Sequence, residues 1–223
     1  KRQYIRINHL EYCLSDSKPS TKKYRSIKIA FSAFWPDFDP SKNQLLDFFK
    51  AANHPNATKI ETVKDYSSAD IIVESCYGER VDDKNHHATK VLFLGENVRP
   101  QFREYDYSIS FEYNKMHGKN IHLPLWLLEL DLFDNSYPDR NPFALSNFTT
   151  TNTIDFTNRF ASVVYIGNNA EPFREHVINL LSSNGIKVDR FGSHTNPVVD
   201  KMSLLKKYRA TICFENSFHP GYV

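Results

Sequence analysis

A chain of 223 residues, 40% hydrophobic and 24% charged, is long enough for one large domain or one and a half smaller ones, and its composition argues against disorder. A formal charge of +2 gives no basis for a nucleic-acid partner, which needs a basic face to displace counterions. No run approaches the ~18 apolar residues that span a bilayer, and the three distant cysteines, Cys13, Cys76 and Cys213, offer neither a disulfide framework nor a metal-ligand spacing.

Residues 1–26 carry Lys1, Arg2, Arg6, Lys18, Lys22, Lys23 and Arg25, and read as a solvated tail or linker. From Ile27 short apolar runs alternate with amphipathic stretches, the pattern of a parallel sheet covered by helices. Ile27 to Phe34 is the first expected strand. Asp39-Pro40-Ser41 offers a helix start, with Leu45, Leu46, Phe48 and Phe49 as the apolar face through Ala52. Ala69 to Val73, Lys90 to Leu94 and Tyr107 to Phe111 read as buried strands, which closes a first Rossmann-like domain over 27–133.

The stretch 134–158, rich in Asn, Thr, Asp and Pro, reads as an interdomain linker. A second α/β unit is expected over 159–223. Its strand Ala161 to Ile166 leads to a helix Glu171 to Leu181 with Phe173, Val177, Leu180 and Leu181 on the apolar side, closed by Asn184-Gly185. Ile186 to Phe191 (strand), Lys201 to Tyr208 (helix) and Ala210 to Phe214 (strand) follow, and the chain stops with this unit incomplete. The fold class expected is α/β, two Rossmann-like halves joined by a linker in the manner of the GT-B glycosyltransferases, the second half truncated at its C-terminal end.

In open parallel sheets ligands bind beyond the carboxyl ends of the strands, which directs attention to Trp35, Glu74 and Glu96 in the first unit. Glu96 follows the apolar run Val91 to Leu94 through Gly95, whose tight turn would hold a carboxylate at a cleft as a general base. The plainer reading of a Glu after a strand is a cap or a solvated residue, and Glu74 is left at that. Trp35 is as suited to the core as to a sugar face, and Trp126 reads as core. Arg174 stands in the first turn of the expected second-unit helix, where phosphate binds free N–H groups and the guanidinium adds a charge contact; alone, it reads as an exposed helix arginine. Glu215 and Asn216, at the end of the last strand, offer acid and amide groups suited to nucleotide hydroxyls and base edges. The histidines, His86, His87 and His219 among them, form no ligand set, so no metal site is expected.

Two strings make the chain resemble the α-1,3/4-fucosyltransferases of glycosyltransferase family 10, in the bacterial branch. One is Phe93-Leu94-Gly95-Glu96-Asn97 with Pro100, Phe102 and Tyr105-Asp106-Tyr107. The other is Ile212-Cys213-Phe214-Glu215-Asn216-Ser217 with Gly221-Tyr222-Val223. Arg159 to Val164, Asn168-Asn169-Ala170, Arg174 and Leu123-Pro124-Leu125-Trp126 match in order between them.

The resemblance implies an inverting GT-B enzyme moving fucose from GDP-β-L-fucose to the 3-hydroxyl of N-acetylglucosamine in a galactose-containing glycan, as in Lewis-type antigens or lipopolysaccharide. It implies Glu96 as the general base and Arg174, Asn216, Tyr222 and Glu215 at the donor, Glu215 ordering its loop. The first domain, with Trp35 near its rim, would hold the acceptor. No cofactor is implied beyond the donor substrate, although a divalent cation could stimulate without being essential. A cytoplasmic or membrane-peripheral enzyme is expected, ahead of a lumenal Golgi one. The family motif continues past Tyr222-Val223 with Thr-Glu-Lys, so the chain by itself is expected to transfer little. The rivals are a related GDP-sugar transferase with another acceptor and a non-catalytic glycan- or nucleotide-binding remnant.

Overall fold

Continuous apolar runs of four to six residues, rather than alternating ones, are buried on both faces, and such strands pair in parallel under helices. The computed structural model describes residues 4–7, 10–13, 26–52, 59–78, 87–100, 104–139, 142–146, 156–168, 171–192, 196–214 and 220. It divides into two units, one built on Lys1–Asn147 and one on Phe148–Phe218.

The first unit opens with an antiparallel pair, β1 (Tyr4–Ile7) and β2 (Leu10–Cys13), inside the stretch expected to be a tail. Alternation in Tyr-Ile-Arg-Ile and Leu-Glu-Tyr-Cys satisfies a two-residue period that the surrounding basic residues obscure. The main sheet consists of β3 (Ile27–Ser32), β4 (Ile60–Thr62), β5 (Ile71–Glu74), β6 (Thr89–Phe93), β7 (Tyr107–Ser110) and β8 (Asn120–His122). Their order is β4-β3-β5-β6-β7-β8 and every pairing is parallel. Strands β4 and β8 carry too few apolar residues for the sequence pattern to reveal them.

Helix α1 (Gln44–Ala51) in this unit starts later than expected. Asp39 accepts from the Ser41 N–H at 2.8 Å and builds a turn instead, while Asn43 Oδ1 accepts from the Leu46 N–H at 2.8 Å and caps the helix. Leu45 and Leu46 press on the sheet face made by Ile29, Phe31, Val73, Val91 and Phe93. A one-turn 3₁₀ segment, Leu125–Glu129, buries Leu128 but leaves Trp126 52% exposed, against the expectation of a core tryptophan. A single tight turn can direct only one side of itself at the core, and Leu128 takes it.

Beyond it, β9 (Leu130–Asp131) pairs in parallel with β10 (Phe143–Ala144). Tyr137 is buried and donates to Asp47 of α1 at 2.9 Å. Burial, reinforced by the Asp47 carboxylate, holds this phenol protonated well above its ordinary range. Residues 134–139 and 142–144, read as part of a linker, thus belong to the first unit.

The second unit contains β11 (Phe160–Ile166), α2 (Pro172–Ser183), β12 (Val188–Phe191), α3 (Lys201–Leu205) and β13 (Tyr208–Ile212), with parallel sheet order β12-β11-β13. Glu171 caps α2, Pro172 occupies its first turn, and Asn184 with Gly185 at φ +77° ends it as expected. Its buried stripe is Arg174 and Ile178, with Val177 and Leu181 half-buried, whereas Phe173 and Leu180 stay exposed. The expected stripe is therefore rotated, and Phe173 instead meets Phe214 edge-on at 5.9 Å. Tyr208 belongs to β13 rather than to α3, because its ring is buried and its hydroxyl donates to Asp189.

Candidate functional site

From β3 the chain crosses to β4 on one side and then to β5 on the other, so the loops leaving β3 and β5 diverge at a topological switch point. Both loops are fixed by backbone. The Ser75 N–H donates to Ser32 O at 3.0 Å and the Tyr77 N–H to Ala33 O at 2.9 Å, which carries the β3–β5 pairing past the strand ends. Ala33 turns the chain outward at φ +55°, a left-handed conformation costly for a residue with a Cβ. Gly78 lies so close that a Cβ on it would stand 3.1 Å from Ala33 Cα.

Three side chains converge above this switch. The Trp35 indole N–H donates to Asp139 Oδ2 at 2.8 Å, which sets the plane of the ring. The Tyr77 ring meets Trp35 edge-on, centroids 5.6 Å apart, and its hydroxyl donates to Glu96 Oε1 at 3.0 Å. Glu96 reaches the rim because the Leu94 N–H makes the last link toward β7, to Ile109 O at 2.9 Å, and Gly95 then turns the chain. A Cβ on Gly95 would meet both the Phe93 ring and the Tyr77 hydroxyl at 3.3 Å.

A cleft of about 360 Å³ opens here, lined by Trp35, Tyr77, Phe93, Gly95, Leu128, Glu129 and Asp139 among others. Aromatic faces with carboxylates at their margin suit a ligand that has both C–H faces and hydroxyl donors, as a sugar ring does. Trp35 fills both roles left open for it: its ring packs among Phe34, Phe38 and Phe93, and it lines the cleft.

Glu74 is neither a cap nor solvated. It is only 6% exposed and accepts from the Tyr105 hydroxyl at 2.5 Å. The Cys76 thiol is pushed up by burial, and the nearby charge of Glu96 pushes it further, so it stands protonated rather than as a nucleophile. Tyr77, Glu129 and Asp139 were missed from the sequence. Tyr77 follows β5 as Glu96 follows β6, a signal that strand-end inspection could have used, whereas Asp139 lies 104 residues from Trp35 and gave none.

In the second unit, Arg174 lies in the first turn of α2 and is only 9% exposed, which overturns the plain reading of an exposed helix arginine. In that turn Pro172 carries no N–H and the Arg174 N–H donates to Glu171 Oε2 at 3.2 Å, so it is the guanidinium, at the positive end of a twelve-residue helix, that suits an anionic group. Around it, Arg190 forms a two-pronged pair with Glu175 and stands 5.9 Å over the Tyr165 ring, while Tyr165 meets Phe214 edge-on. A Cβ on Gly167 would fall 2.3 Å from the Tyr165 hydroxyl, so the turn after β11 admits only glycine while that ring stays put. Glu215, Asn216 and Tyr222 lie outside the described residues, and Phe214 is the last described residue before Glu215 and Asn216. Among the described residues no three or more His, Cys, Asp or Glu gather as a metal site. Among the described residues no helix is long and apolar enough to cross a membrane.

Residues 29–129 match the family described as the α-(1,3)-fucosyltransferase FucT N-terminal domain. The chain is 26% identical over 240 aligned residues to the α-(1,3)-fucosyltransferase FucT of Helicobacter pylori, a match that covers 94% of this chain and 49% of that protein. It therefore spans about half the length of this curated relative. A crystal structure of α1,3-fucosyltransferase with GDP-fucose superposes with a TM-score of 0.61 at 22% identity, covering 94% of this chain and 66% of the other. A crystal structure of α1,3-fucosyltransferase with GDP gives 0.58 at 20% identity, covering 94% and 66%. The α/β class with parallel sheets and the likeness to GT-B fucosyltransferases, both expected from the sequence, are borne out.

Proposed function

We propose, from the match of residues 29–129 to the α-(1,3)-fucosyltransferase FucT N-terminal domain family, that the protein is an inverting glycosyltransferase moving fucose from GDP-β-L-fucose to the 3-hydroxyl of N-acetylglucosamine in a galactose-containing glycan. The observation that carries this reading is the rim at the switch point of the first sheet, where Trp35 and Tyr77 line an aromatic cleft edged by the Glu129 and Asp139 carboxylates and Tyr77 donates to Glu96 beside it.

The chemistry needs a base and a stabilised leaving group. In this reading the acceptor hydroxyl oxygen forms a bond to the anomeric carbon of fucose from the face opposite the nucleotide. Its proton passes to the Glu96 carboxylate, and the bond from the anomeric carbon to the phosphate oxygen breaks with its electron pair leaving on GDP. Proton transfer to a positioned carboxylate is worth roughly two to four orders of magnitude in rate. Arg174, in the first turn of α2, offsets charge growing on the departing diphosphate. Asn216, Tyr222 and Glu215 complete the donor site, and the Trp35 face receives the acceptor. The donor is a substrate rather than a cofactor, and a divalent cation stimulates without being required. The enzyme works in the cytoplasm or at the membrane periphery on lipopolysaccharide-type or Lewis-type glycans.

Transfer from GDP-fucose to N-acetyllactosamine and to lactose, measured on the full-length protein, tests the reading. Glu96→Gln is expected to lower kcat by about 10²- to 10⁴-fold while GDP affinity stays within about twofold. Turnover that survives the substitution removes Glu96 as the base. Binding of GDP or glycan with no transfer in the unsubstituted protein would favour the non-catalytic remnant.

A further inference from the structure

We infer that Tyr77 is a positioning residue for the Glu96 carboxylate, an inference that rests on Glu96 being the base. Glu96 is an exposed side chain on a turn, separated from the end of β6 by Leu94 and Gly95. A base on such a turn must hold one rotamer, with an oxygen aimed at the acceptor hydroxyl, for the attacking atom to be deprotonated as it reacts. The Tyr77 hydroxyl donates to Oε1 at 3.0 Å, which fixes that oxygen and with it the plane in which the carboxylate meets the acceptor hydroxyl. Hydrogen bonds to ionised acceptors are roughly twice as strong as neutral ones, enough to hold an exposed carboxylate in place.

The donor is itself rigid. Its backbone N–H is tied to Ala33 O at 2.9 Å, so the residue is placed by an extension of the β3–β5 pairing rather than by a free loop. Its ring lies edge-on to Trp35 at 5.6 Å, and Trp35 is oriented in turn by Asp139 at 2.8 Å. The Tyr77 hydroxyl lies 3.3 Å from where a Cβ on Gly95 would stand, so the base loop passes directly over it. Asp139, Trp35, Tyr77 and Glu96 thus form one connected row along the cleft, which links the acceptor-facing ring to the group that takes the proton.

Tyr77→Phe tests this on the full-length protein, because it deletes one oxygen from a partly exposed ring and leaves the fold in place, as circular dichroism and thermal unfolding will verify. The expected result is a fall in kcat of about 10- to 100-fold with KM for GDP-fucose and for the acceptor each within about twofold. Glu96→Gln run in parallel separates the two claims. If Glu96→Gln abolishes transfer while Tyr77→Phe matches the unsubstituted enzyme, the role of Tyr77 is overturned and the base stands. A rise in acceptor KM with kcat unchanged also overturns it, because the hydroxyl would then bind acceptor instead of orienting the base. Transfer that survives Glu96→Gln overturns the base, and the role of Tyr77 with it.

Discussion

The two units place their candidate site residues by different physical means. In the first, six parallel strands bury a continuous core, with Ile29, Val73, Phe93 and Leu94 withdrawn completely from solvent, and the rim loops are extensions of that core. In the second, three strands and two helices bury only Val164, Tyr165, Ile178 and Tyr208 as hydrophobic residues among those described. There the geometry is held by glycine close approaches at Gly167 and Gly192 and by polar links such as Arg190–Glu175, Ser162–Asp189 and Lys187–Asp189. A site hung on a deep core tolerates surface change and fails when core volume is lost, while a site held by close approaches fails when a single methyl is added.

Substitutions in the two units should therefore separate. The largest effect is expected for Phe93→Ala, which empties a fully buried position stacked on Phe34 and beside Trp35. It should cost about 3–5 kcal/mol and appear as lost hydrogen-exchange protection in β3, β5 and β6, with β11 unaffected; an equal loss in both units would mean that they unfold together. A smaller effect is expected for Gly167→Ala. The added methyl must displace the buried Tyr165 ring, at a cost of about 1–3 kcal/mol, read as faster exchange in β11 and β13 alone.

The smallest effects are expected from pH, and they differ in window. Burial depresses the pKa of His122 in the first unit, where its Nε2 has no hydrogen-bond partner among the described residues. Its proton then binds more readily in the unfolded chain. Stability that is complete above the ordinary histidine value of about 6.5 drains away as pH falls from there toward the folded value. Asp189 in the second unit is depressed by hydrogen bonds from Ser162 and Lys187. Its contribution is complete above the ordinary carboxylate value of about 4 and is lost only as pH falls below that. Unit-resolved unfolding between pH 7 and 5 should show a slope in the first unit that His122→Phe flattens, and none from Asp189 in the second. A slope that persists in His122→Phe would assign it to another group.

Much of this architecture was legible because local rules decide it. The runs Ile27 to Ser32, Ile71 to Val73, Val91 to Phe93 and Val163 to Ile166 are apolar enough to be strands in any context, and Asn184-Gly185 stops α2 by backbone conformation alone. Glu96 was found because a carboxylate one glycine past a buried strand has little freedom to be elsewhere. Strands β4 and β8 were missed because their partners, not their composition, make them strands. The helix start moved from Asp39 to Asn43 because two good caps competed, and Asn43 also holds Asp39 O and Pro40 O with its amide.

Glu96 as a carboxylate just past a strand, the alternation of strands and helices and the family resemblance were thus determined by the sequence alone, since each follows from residues close together along the chain. Only the tertiary structure decided that Arg174 is buried, that Trp126 faces solvent, that Glu74 is an interior acceptor for Tyr105, and that Tyr77 and Asp139 join Trp35 and Glu96. The Tyr77–Glu96 bond spans 19 residues and the Trp35–Asp139 bond 104. Contacts across such separations are set by strand order and by which side of each turn meets the core, quantities that local periodicity does not encode.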